Sequence, residues 1–396
     1  MLEKKELSLE KKIDELLSRG VRDAIVKEDL KKKLLSGKKL RIKFGIDPTG
    51  PKIHLGRAST MRKLAKFQEL GHQLVLIIGD FTAQVGDASD KEAERPMLEK
   101  ERIQENMQDY LNQLSRIFDI SQAEIRYNSQ WLGKLDFNDI CRLADNFSVA
   151  EMLDRENFSQ RFKGGKRISL REFMYPLMQG YDSVAVEADV EIGGTDQLFN
   201  VLAGRTIQKA NGQEPQNILT FELLEGTDGR KMSTSWGNVI LITDSPEEMF
   251  GKVMSIKDEL IERYFLLCTD VEMETLGAKL LFPRDAKLEL AKEIVKIYHG
   301  QSSAQEAEEH FIKVFSQKEM PTDAPEVTAE EGERLIDFLE KNGLADSKGE
   351  AKKKILQKGV SLGEELIEKT DFVLEKNCQG KIIKVGKKTF RKIKIK

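Results

Sequence analysis

Cysteine and histidine are scarce in this chain of 396 residues, which contains three cysteines and four histidines. Cys141, Cys268 and Cys378 lie far apart and form no CxxC pair, so the sequence indicates neither a zinc site nor a disulfide framework. The histidines show no ligand spacing either. We therefore predict no bound metal, and a reducing compartment suits the thiols.

Long apolar runs are also lacking, because no stretch approaches the roughly 18 residues that a membrane-spanning helix needs. Near the N-terminus, Glu and Lys alternate with leucines at helical spacing, and no unbroken apolar signal core is present. We expect a soluble, cytoplasmic protein with no membrane contact. Its net charge is only −3, so a polyanionic partner would have to meet a local basic patch.

Strand and helix patterns alternate through the first 235 residues or so. Residues 41–47 alternate as a strand, residues 48–51 form a turn, a helical stripe begins at His54, and a second strand follows at 74–78. A further strand-like stretch, 184–192, ends at two glycines before another helix. We predict an α/β protein with a Rossmann-type, doubly wound parallel sheet, whose ligands bind at the carboxyl ends of the strands, near 47–57 and 79–87.

The remainder of the chain suggests further modules. We predict a catalytic domain at 1–238 with a helical insertion near 110–165, and an α-helical domain at 239–319. A proline-containing acidic stretch at 320–332 is typical of a linker. A small α+β module is expected at 333–396.

Two short motifs suggest nucleotide chemistry. His54-Leu55-Gly56-Arg57 lies where the first strand meets the first helix, and a helix N-terminus favours phosphate. Alone, this motif is weak, because a turn histidine before a core helix is the commoner case. The second motif, Lys231-Met232-Ser233-Thr234-Ser235, sits between glycines and could close over a triphosphate. Such a string is expected by chance on the order of 0.01 times in a chain this long.

Together the two motifs resemble the H-x-G-H and K-M-S-K-S elements of class I aminoacyl-tRNA synthetases. Tyr175, Gln179 and Asp182 would share one helix face, and Gln197 follows the glycine pair at 193–194. This constellation is similar to the amino-acid pocket of tyrosyl-tRNA synthetases. The resemblance extends over almost the full chain, including residues 45–49 and 86–87.

The resemblance implies a role for each matching residue. Asp182 would hydrogen-bond the phenolic hydroxyl of tyrosine, and Tyr175 and Gln179 would hold its ammonium group with Thr82 and Asp87. The predicted tyrosine-binding residues are Thr82, Asp87, Asn128, Tyr175, Gln179, Asp182 and Gln197. The predicted ATP-binding residues are Asp47, His54, Gly56, Arg57, Gly194, Asp196, Lys231, Met232, Ser233, Thr234 and Ser235.

The implied reaction needs no enzymic nucleophile. The tyrosine carboxylate attacks the α-phosphorus of ATP, and the enzyme supplies alignment and positive charge before tyrosine passes to tRNA(Tyr). The predicted catalytic residues are Thr49, His54, Lys91, Arg95, Lys231 and Ser233. Mg²⁺ would arrive with ATP and needs no protein cage.

The C-terminal module is strongly basic and resembles the S4 RNA-binding domain of many bacterial tyrosyl-tRNA synthetases. The predicted RNA-binding residues are Lys381, Lys384, Lys387, Lys388, Arg391 and Lys392. A basic solubilising tail is the alternative. The resemblance also implies a homodimer with contacts from residues 110–165.

Four positions depart from the family pattern. Arg57 replaces the second histidine of the first ATP element, Thr234 replaces the second lysine of the loop, and Ala88 stands where proline is common. Lys43 occupies the place of a tyrosine that faces the substrate hydroxyl in one branch of the family, so Asp182 would recognise the hydroxyl without it.

Three other functions stay open at this point. A paralogue could make an aminoacyl-adenylate for an acceptor other than tRNA, although the basic C-terminal module argues against it. A catalytically silent RNA-binding protein would not need the preserved pocket. A tryptophan-specific relative would share the fold, but the Tyr175, Gln179 and Asp182 set counts against it.

Overall fold

The computed structural model describes residues 8–87, 99–107, 109–277, 279–316, 324–357, 359–363, 365–386 and 389–396. The chain divides into two compact units, Met1–Ala304 and Gln305–Lys396. A separate helical domain at 239–319 stays a prediction, because the single division falls later in the chain. Within the described residues, no helix is both long and apolar enough to cross a membrane.

A six-stranded sheet forms the centre of the first unit. Its strands are β1 Val21–Ile25, β2 Arg41–Ile46, β3 Gln73–Ile78, β4 Glu124–Tyr127, β5 Val190–Gly194 and β6 Asn217–Phe221. Their order is β1-β6-β5-β2-β3-β4, and all neighbours are parallel except β1, which pairs antiparallel with β6. The predicted α/β class with a mostly parallel sheet is therefore confirmed, with an antiparallel edge strand that we did not expect.

Helices flank this sheet and continue beyond it. They are α1 Leu9–Leu16, α2 Lys27–Leu35, α3 Leu55–Glu69, α4 Thr82–Val85, α5 Lys100–Met107, α6 Tyr110–Leu114, α7 Ser129–Leu132, α8 Phe137–Ala144, α9 Val149–Asp154, α10 Glu156–Lys163, α11 Leu170–Ala185, α12 Leu198–Ala210, α13 Pro246–Met254, α14 Ile261–Cys268, α15 Pro283–His299 and α16 Gln301–Phe311. A capping box of Ser169 and Glu172 begins α11.

The order of the strands fixes where a ligand can bind. From β2, the chain continues through β3 and β4 on one side, and later returns to place β5 and β6 on the other. The point between β2 and β5 is therefore the switch point of a doubly wound sheet, where the crevice at the carboxyl ends opens. The strand predicted at 184–192 is wrong at its beginning, because α11 continues to Ala185 and β5 starts only at Val190.

The second unit contains a small sheet and two helices over their own apolar core. Its helices are α17 Leu335–Lys341 and α18 Lys348–Leu356, and its strands are β7 Glu326–Ala329, β8 Glu333–Arg334, β9 Val360–Leu362, β10 Glu365–Leu366, β11 Val373–Leu374, β12 Ile382–Val385 and β13 Thr389–Ile395. Five strands pair in the order β10-β9-β12-β13-β7. Strand β7 falls inside the stretch predicted as a linker, and its parallel pairing with β13 makes it part of the sheet.

Gly180 allows α11 and α12 to pack closely. A Cβ atom at this position would lie 2.6 Å from Cδ1 of Ile207 and 3.1 Å from the backbone of Ala203. Since backbone cannot move aside easily, Gly180→Ala should destabilise the protein by about 1–3 kcal/mol. Gly251→Ala in α13 is the matched control, because a Cβ there meets no described atom within 4 Å and should stabilise by about 0.5–1 kcal/mol. Thermal unfolding followed by circular dichroism measures both, and a shift of the same sign would contradict this packing.

Candidate active site

A cleft of about 840 Å³ opens at the carboxyl ends of the parallel strands. Most of the residues that the sequence predicted for ATP or tyrosine line it together. They are Asp47, Thr49, His54, Gly56, Arg57, Thr82, Asp87, Asn128, Tyr175, Gln179, Asp182, Gly194, Asp196, Gln197, Lys231, Met232, Ser233 and Thr234. The side chains of Ser235, Lys91 and Arg95 lie outside the described part of the structure.

Asp182 forms one polar wall of the cleft. It comes from the C-terminal half of α11, is only 4% exposed, and accepts hydrogen bonds on both carboxylate oxygens. Trp131 Nε1 donates to Oδ1 at 2.8 Å, and Asn128 Nδ2 donates to Oδ2 at 3.3 Å. Burial raises the pKa of Asp182 to about 7, although the charge of Lys43 and the two N–H donors oppose this rise. Asp182 is thus a fixed acceptor that titrates near neutrality.

A hydrogen-bonded chain connects Asp182 to Asp47 at the end of β2. Asn128 Nδ2 also donates to Thr82 Oγ1 at 3.0 Å, and Thr82 Oγ1 donates to Asp47 Oδ1 at 2.7 Å. The hydroxyl of Tyr175 donates to Asp47 Oδ2 at 2.8 Å. Gly79 makes room for this contact, since any Cβ there would overlap the Asp47 carboxylate. The sequence assigned Asp47 to the ATP side, but in the structure it also organises the predicted tyrosine pocket.

Asp87 belongs to a second polar group across the cleft. Gln197 Nε2 donates to its Oδ2 at 2.7 Å, and Asn200 Nδ2 donates to its Oδ1 at 3.4 Å. Asn200 also donates to Gln197 Oε1 at 3.0 Å. Sequence reasoning missed Asn200, although it lies three residues after Gln197 in a helical stretch, a spacing that puts both on one face.

His54 precedes α3 and faces the cleft as a neutral imidazole. Burial, together with the nearby charges of Arg57 and Lys231, lowers its pKa to about 3. Its Nδ1 is buried and has no hydrogen-bond partner among the described residues. Gly56 has no side chain to cover this atom, because a Cβ there would lie 3.1 Å from Nδ1. His54 thus lines the cleft with one ring nitrogen that no described residue uses.

Arg57 is held beside the turn at 48–51. Its Nη1 donates to the hydroxyl of Tyr110 at 2.8 Å, and its Nη2 donates to Thr49 Oγ1 at 3.4 Å. Tyr110 is 1% exposed and so supplies a rigid support. The residue that replaces the second histidine of the motif is thus a cation directed at the cleft.

The loop with Lys231 covers the same end of the cleft. Lys231 Nζ lies 3.1 Å from Asp196 Oδ2, and the amide of Gly56 contacts Met232 Sδ at 3.3 Å. Asn238, which the sequence did not single out, shapes the loop by accepting from the Ser233 amide at 2.9 Å and donating to Asp228 Oδ1 at 2.8 Å. The two predicted nucleotide elements are therefore in direct contact.

Lys43 and Glu191 form a buried ion pair behind the cleft, with 2.8 Å between Nζ and Oε1. Their side chains are 0% and 1% exposed. Neither residue is among those lining the cleft. The sequence noted Lys43 as a departure, but it contained no signal for Glu191, whose partner lies on a strand distant in sequence.

The comparisons with known proteins agree with this geometry. Residues 35–316 match the family model described as tRNA synthetases class I (W and Y). The tyrosine–tRNA ligase of Thermotoga maritima is 47% identical over 386 residues, which is 96% of each chain. That of Carboxydothermus hydrogenoformans is 48% identical over 399 residues, covering 96% of this chain and 97% of the relative.

Solved structures support the fold. A C-terminally truncated mitochondrial tyrosyl-tRNA synthetase of Aspergillus nidulans matches with a TM-score of 0.63 at 23% identity, covering 79% of this chain and 96% of that one. The tyrosyl-tRNA synthetase of Archaeoglobus fulgidus complexed with L-tyrosine matches with a TM-score of 0.60 at 23% identity, covering 76% and 99%. With a family model over most of its length and relatives nearly half identical end to end, this chain belongs to the tyrosine–tRNA ligases of the class I tRNA synthetases.

Proposed function

We propose that this protein activates tyrosine with ATP to tyrosyl-adenylate and then transfers tyrosine to the 3′ end of tRNA(Tyr), in the cytoplasm. The observation that supports this most directly is the hydrogen-bonded chain from Tyr175 through Asp47, Thr82 and Asn128 to Asp182. It offers acceptors to an ammonium group at one end and to a phenolic hydroxyl at the other. The cations and backbone amides of the nucleotide elements line the same cleft.

Asp182 would recognise the para-hydroxyl of tyrosine. Trp131 and Asn128 each donate one hydrogen bond to the Asp182 carboxylate, one to each oxygen. Each oxygen can accept a further hydrogen bond. Phenylalanine would leave this buried acceptor unsatisfied, and a buried unsatisfied polar group costs about 1–3 kcal/mol or more. Tyr175, Gln179, Thr82 and Asp87 would surround the ammonium group, with Gln197 orienting the substrate through Asp87.

ATP would bind where α3 begins. A neutral His54 can donate a hydrogen bond to a phosphate without adding charge, while Lys231 can stabilise the negative charge that develops on the leaving pyrophosphate. Thr49 and Ser233 are proposed to assist, and Lys91 and Arg95 stay predictions. Mg²⁺ would arrive as part of the ATP substrate. Among the described residues, no cluster of three or more histidine, cysteine or carboxylate side chains could hold a metal ion.

The C-terminal unit is proposed to act as an S4-like RNA-binding module. Lys384 lies on β12, Arg391 and Lys392 lie on β13, and these strands form one hairpin with Val385 opposite Thr389. Lys381 precedes β12, while Lys387 and Lys388 lie outside the described residues. Because side chains alternate along a strand, Lys384 and Lys392 share one face of the hairpin and Arg391 lies on the other. Two cations on one face suit a run of phosphates.

The decisive experiment is amino-acid-dependent exchange of pyrophosphate into ATP with each of the twenty amino acids, followed by charging of total tRNA. We expect exchange with tyrosine and charging of one tRNA. The double variant Lys384→Ala/Lys392→Ala, which removes two cations from one face of the hairpin, should keep the exchange and raise the KM for tRNA. Exchange without charging would indicate an adenylate-forming paralogue, exchange with tryptophan a tryptophan-specific enzyme, and no exchange a silent RNA-binding protein.

Asp182→Asn should lower kcat/KM for tyrosine about 100-fold, because an amide cannot accept from Trp131 and Asn128 while also accepting from a phenol. Since burial raises the pKa of Asp182 to about 7, the ionised acceptor dominates only above that pH. The wild-type KM for tyrosine should therefore fall from about pH 6 to about pH 8, and this dependence should vanish in the variant. Pyrophosphate exchange across this range measures both.

Asp189→Asn is the control for this prediction. The Asp189 carboxylate accepts from the Arg41 amide and from Lys38 Nζ, both at 2.8 Å, and it does not line the cleft. Its loss should leave the KM for tyrosine unchanged. A pH dependence that persists in Asp182→Asn would contradict the assignment of Asp182.

We also propose a homodimer with contacts from residues 110–165. Three large apolar side chains in this segment are mostly exposed: Phe137 at 79%, Val149 at 66% and Phe162 at 64%. Apolar side chains exposed in one segment are typical of a surface that another protein covers. A second copy of the chain would present the same surface in return.

Light scattering should find a dimer at micromolar concentration for the wild type and a monomer for Phe137→Asp/Phe162→Asp, since charge at a buried interface opposes association. Leu281→Asp, at a 75% exposed apolar position outside the segment, should remain dimeric. A monomeric wild type, or a dimeric double variant, would contradict the proposal.

A further inference from the structure

The buried pair of Lys43 and Glu191 is an unusual feature of the sheet. Both residues lie on the two strands at its switch point, Lys43 on β2 and Glu191 on β5. Removing two charges from water costs several kcal/mol per ion even after relaxation, so a buried pair is weak evidence of a stabilising role. Its contacts point to a different role.

Lys43 donates hydrogen bonds to one turn of α11. Its Nζ donates to the backbone oxygen of Gln179 at 2.8 Å and to Ser183 Oγ at 2.7 Å. Gln179 and Ser183 are one helical turn apart, and Asp182 lies between them. The ammonium group therefore links β2 to the helical turn that carries Gln179 and Asp182, which both line the cleft.

Glu191, on β5, accepts hydrogen bonds from the same turn of α11. Its Oε1 accepts from Gln179 Nε2 at 3.1 Å, and its Oε2 accepts from Ser183 Oγ at 3.1 Å and from Gln216 Nε2. Gly204 leaves space for this group, because a Cβ there would lie 2.8 Å from Ser183 Oγ and 3.2 Å from Glu191 Oε2. Since Gln179 lines the cleft, the pair fixes a side chain that faces the substrate.

The charge of Lys43 acts on the same site. Burial is the largest influence and raises the pKa of Asp182, the charge of Lys43 lowers it, and the charge of Glu191 raises it by less than Lys43 lowers it. The ammonium group thus favours the ionised, accepting form of the carboxylate that would receive the phenolic hydroxyl.

We propose that Lys43 is a positioning residue for amino-acid selection: through its ion pair with Glu191 it holds Gln179 and Asp182 in place, and thereby sets the preference for tyrosine over phenylalanine. This inference rests on the proposed tyrosine-activating function. Lys43 acts from behind the cleft and does not contact the substrate, so its effect should concern selection of the amino acid rather than ATP.

The test uses the full-length protein and pyrophosphate exchange with tyrosine and with phenylalanine. Lys43→Met should raise the KM for tyrosine about tenfold and lower the ratio of kcat/KM for tyrosine to that for phenylalanine about tenfold. The KM for ATP should change less than about twofold, since the hydrogen bonds and ion pair given for Lys43 connect it to α11 and β5. A general loss of structure would instead affect both substrates.

Two further variants separate positioning from stability. Lys43→Met/Glu191→Met replaces the pair by apolar side chains of similar size and leaves no unpaired buried charge, which should recover part of the melting temperature lost in the single variant. Selection should remain impaired, because Gln179 and Asp182 still lack their support. Arg161→Met breaks an equally buried pair with Glu172, with side chains 2% exposed, and should lower the melting temperature while leaving selection unchanged.

Each outcome has a definite meaning. The proposal is overturned if folded Lys43→Met keeps the KM for tyrosine and the selection ratio within about twofold of the wild type. It is also overturned if the double variant restores selection together with stability, or if Arg161→Met impairs selection as strongly. A wild type that shows no exchange with tyrosine would overturn the proposed function itself, and that result is distinct because it precedes any variant.

Discussion

The site depends on the hydrogen bonds that the carboxylate of Asp47 accepts. This carboxylate lies just after β2 and accepts from Thr82 on α4 and from Tyr175 on α11, so three separate segments meet at one group. A charged acceptor makes stronger hydrogen bonds than a neutral one and tolerates less displacement of its donors. Asp47 therefore fixes the end of β2 relative to α4 and α11, and through Thr82 and Asn128 it is linked to Asp182.

The cleft carries carboxylates in one region and cations in another. Asp47 and Asp182 belong to one hydrogen-bonded chain, whereas Arg57 and Lys231 lie near the start of α3, where Lys231 is paired with Asp196. An amino acid carries an ammonium group and a nucleotide carries phosphates, so the two substrates are drawn to different ends of one cleft. Because the cations also keep His54 neutral, its imidazole can donate a hydrogen bond to a phosphate without adding further charge.

The parts of the fold that were predictable are those with a strong local pattern. Strands β2 and β3 were found within one residue of their predicted limits, since apolar runs bounded by turn residues identify buried strands well. The beginning of β5 was misplaced because α11 ends in Val184 and Ala185 and is followed by Val186, and valine is common in strands. Strand β1 has no fully buried residue, and its antiparallel pairing with β6 has no local signature.

The sequence by itself determined the family, the class of fold and most residues of the cleft, because their chemistry lies in short motifs whose spacing survives without a structure. Only the tertiary structure decided which of these side chains support one another. Asn200 with Asp87, Asn238 with the loop, and Glu191 with Lys43 are contacts between residues that share no local pattern. The packing of segments that are distant in sequence brings such partners together, and a local sequence pattern does not show which segments will pack.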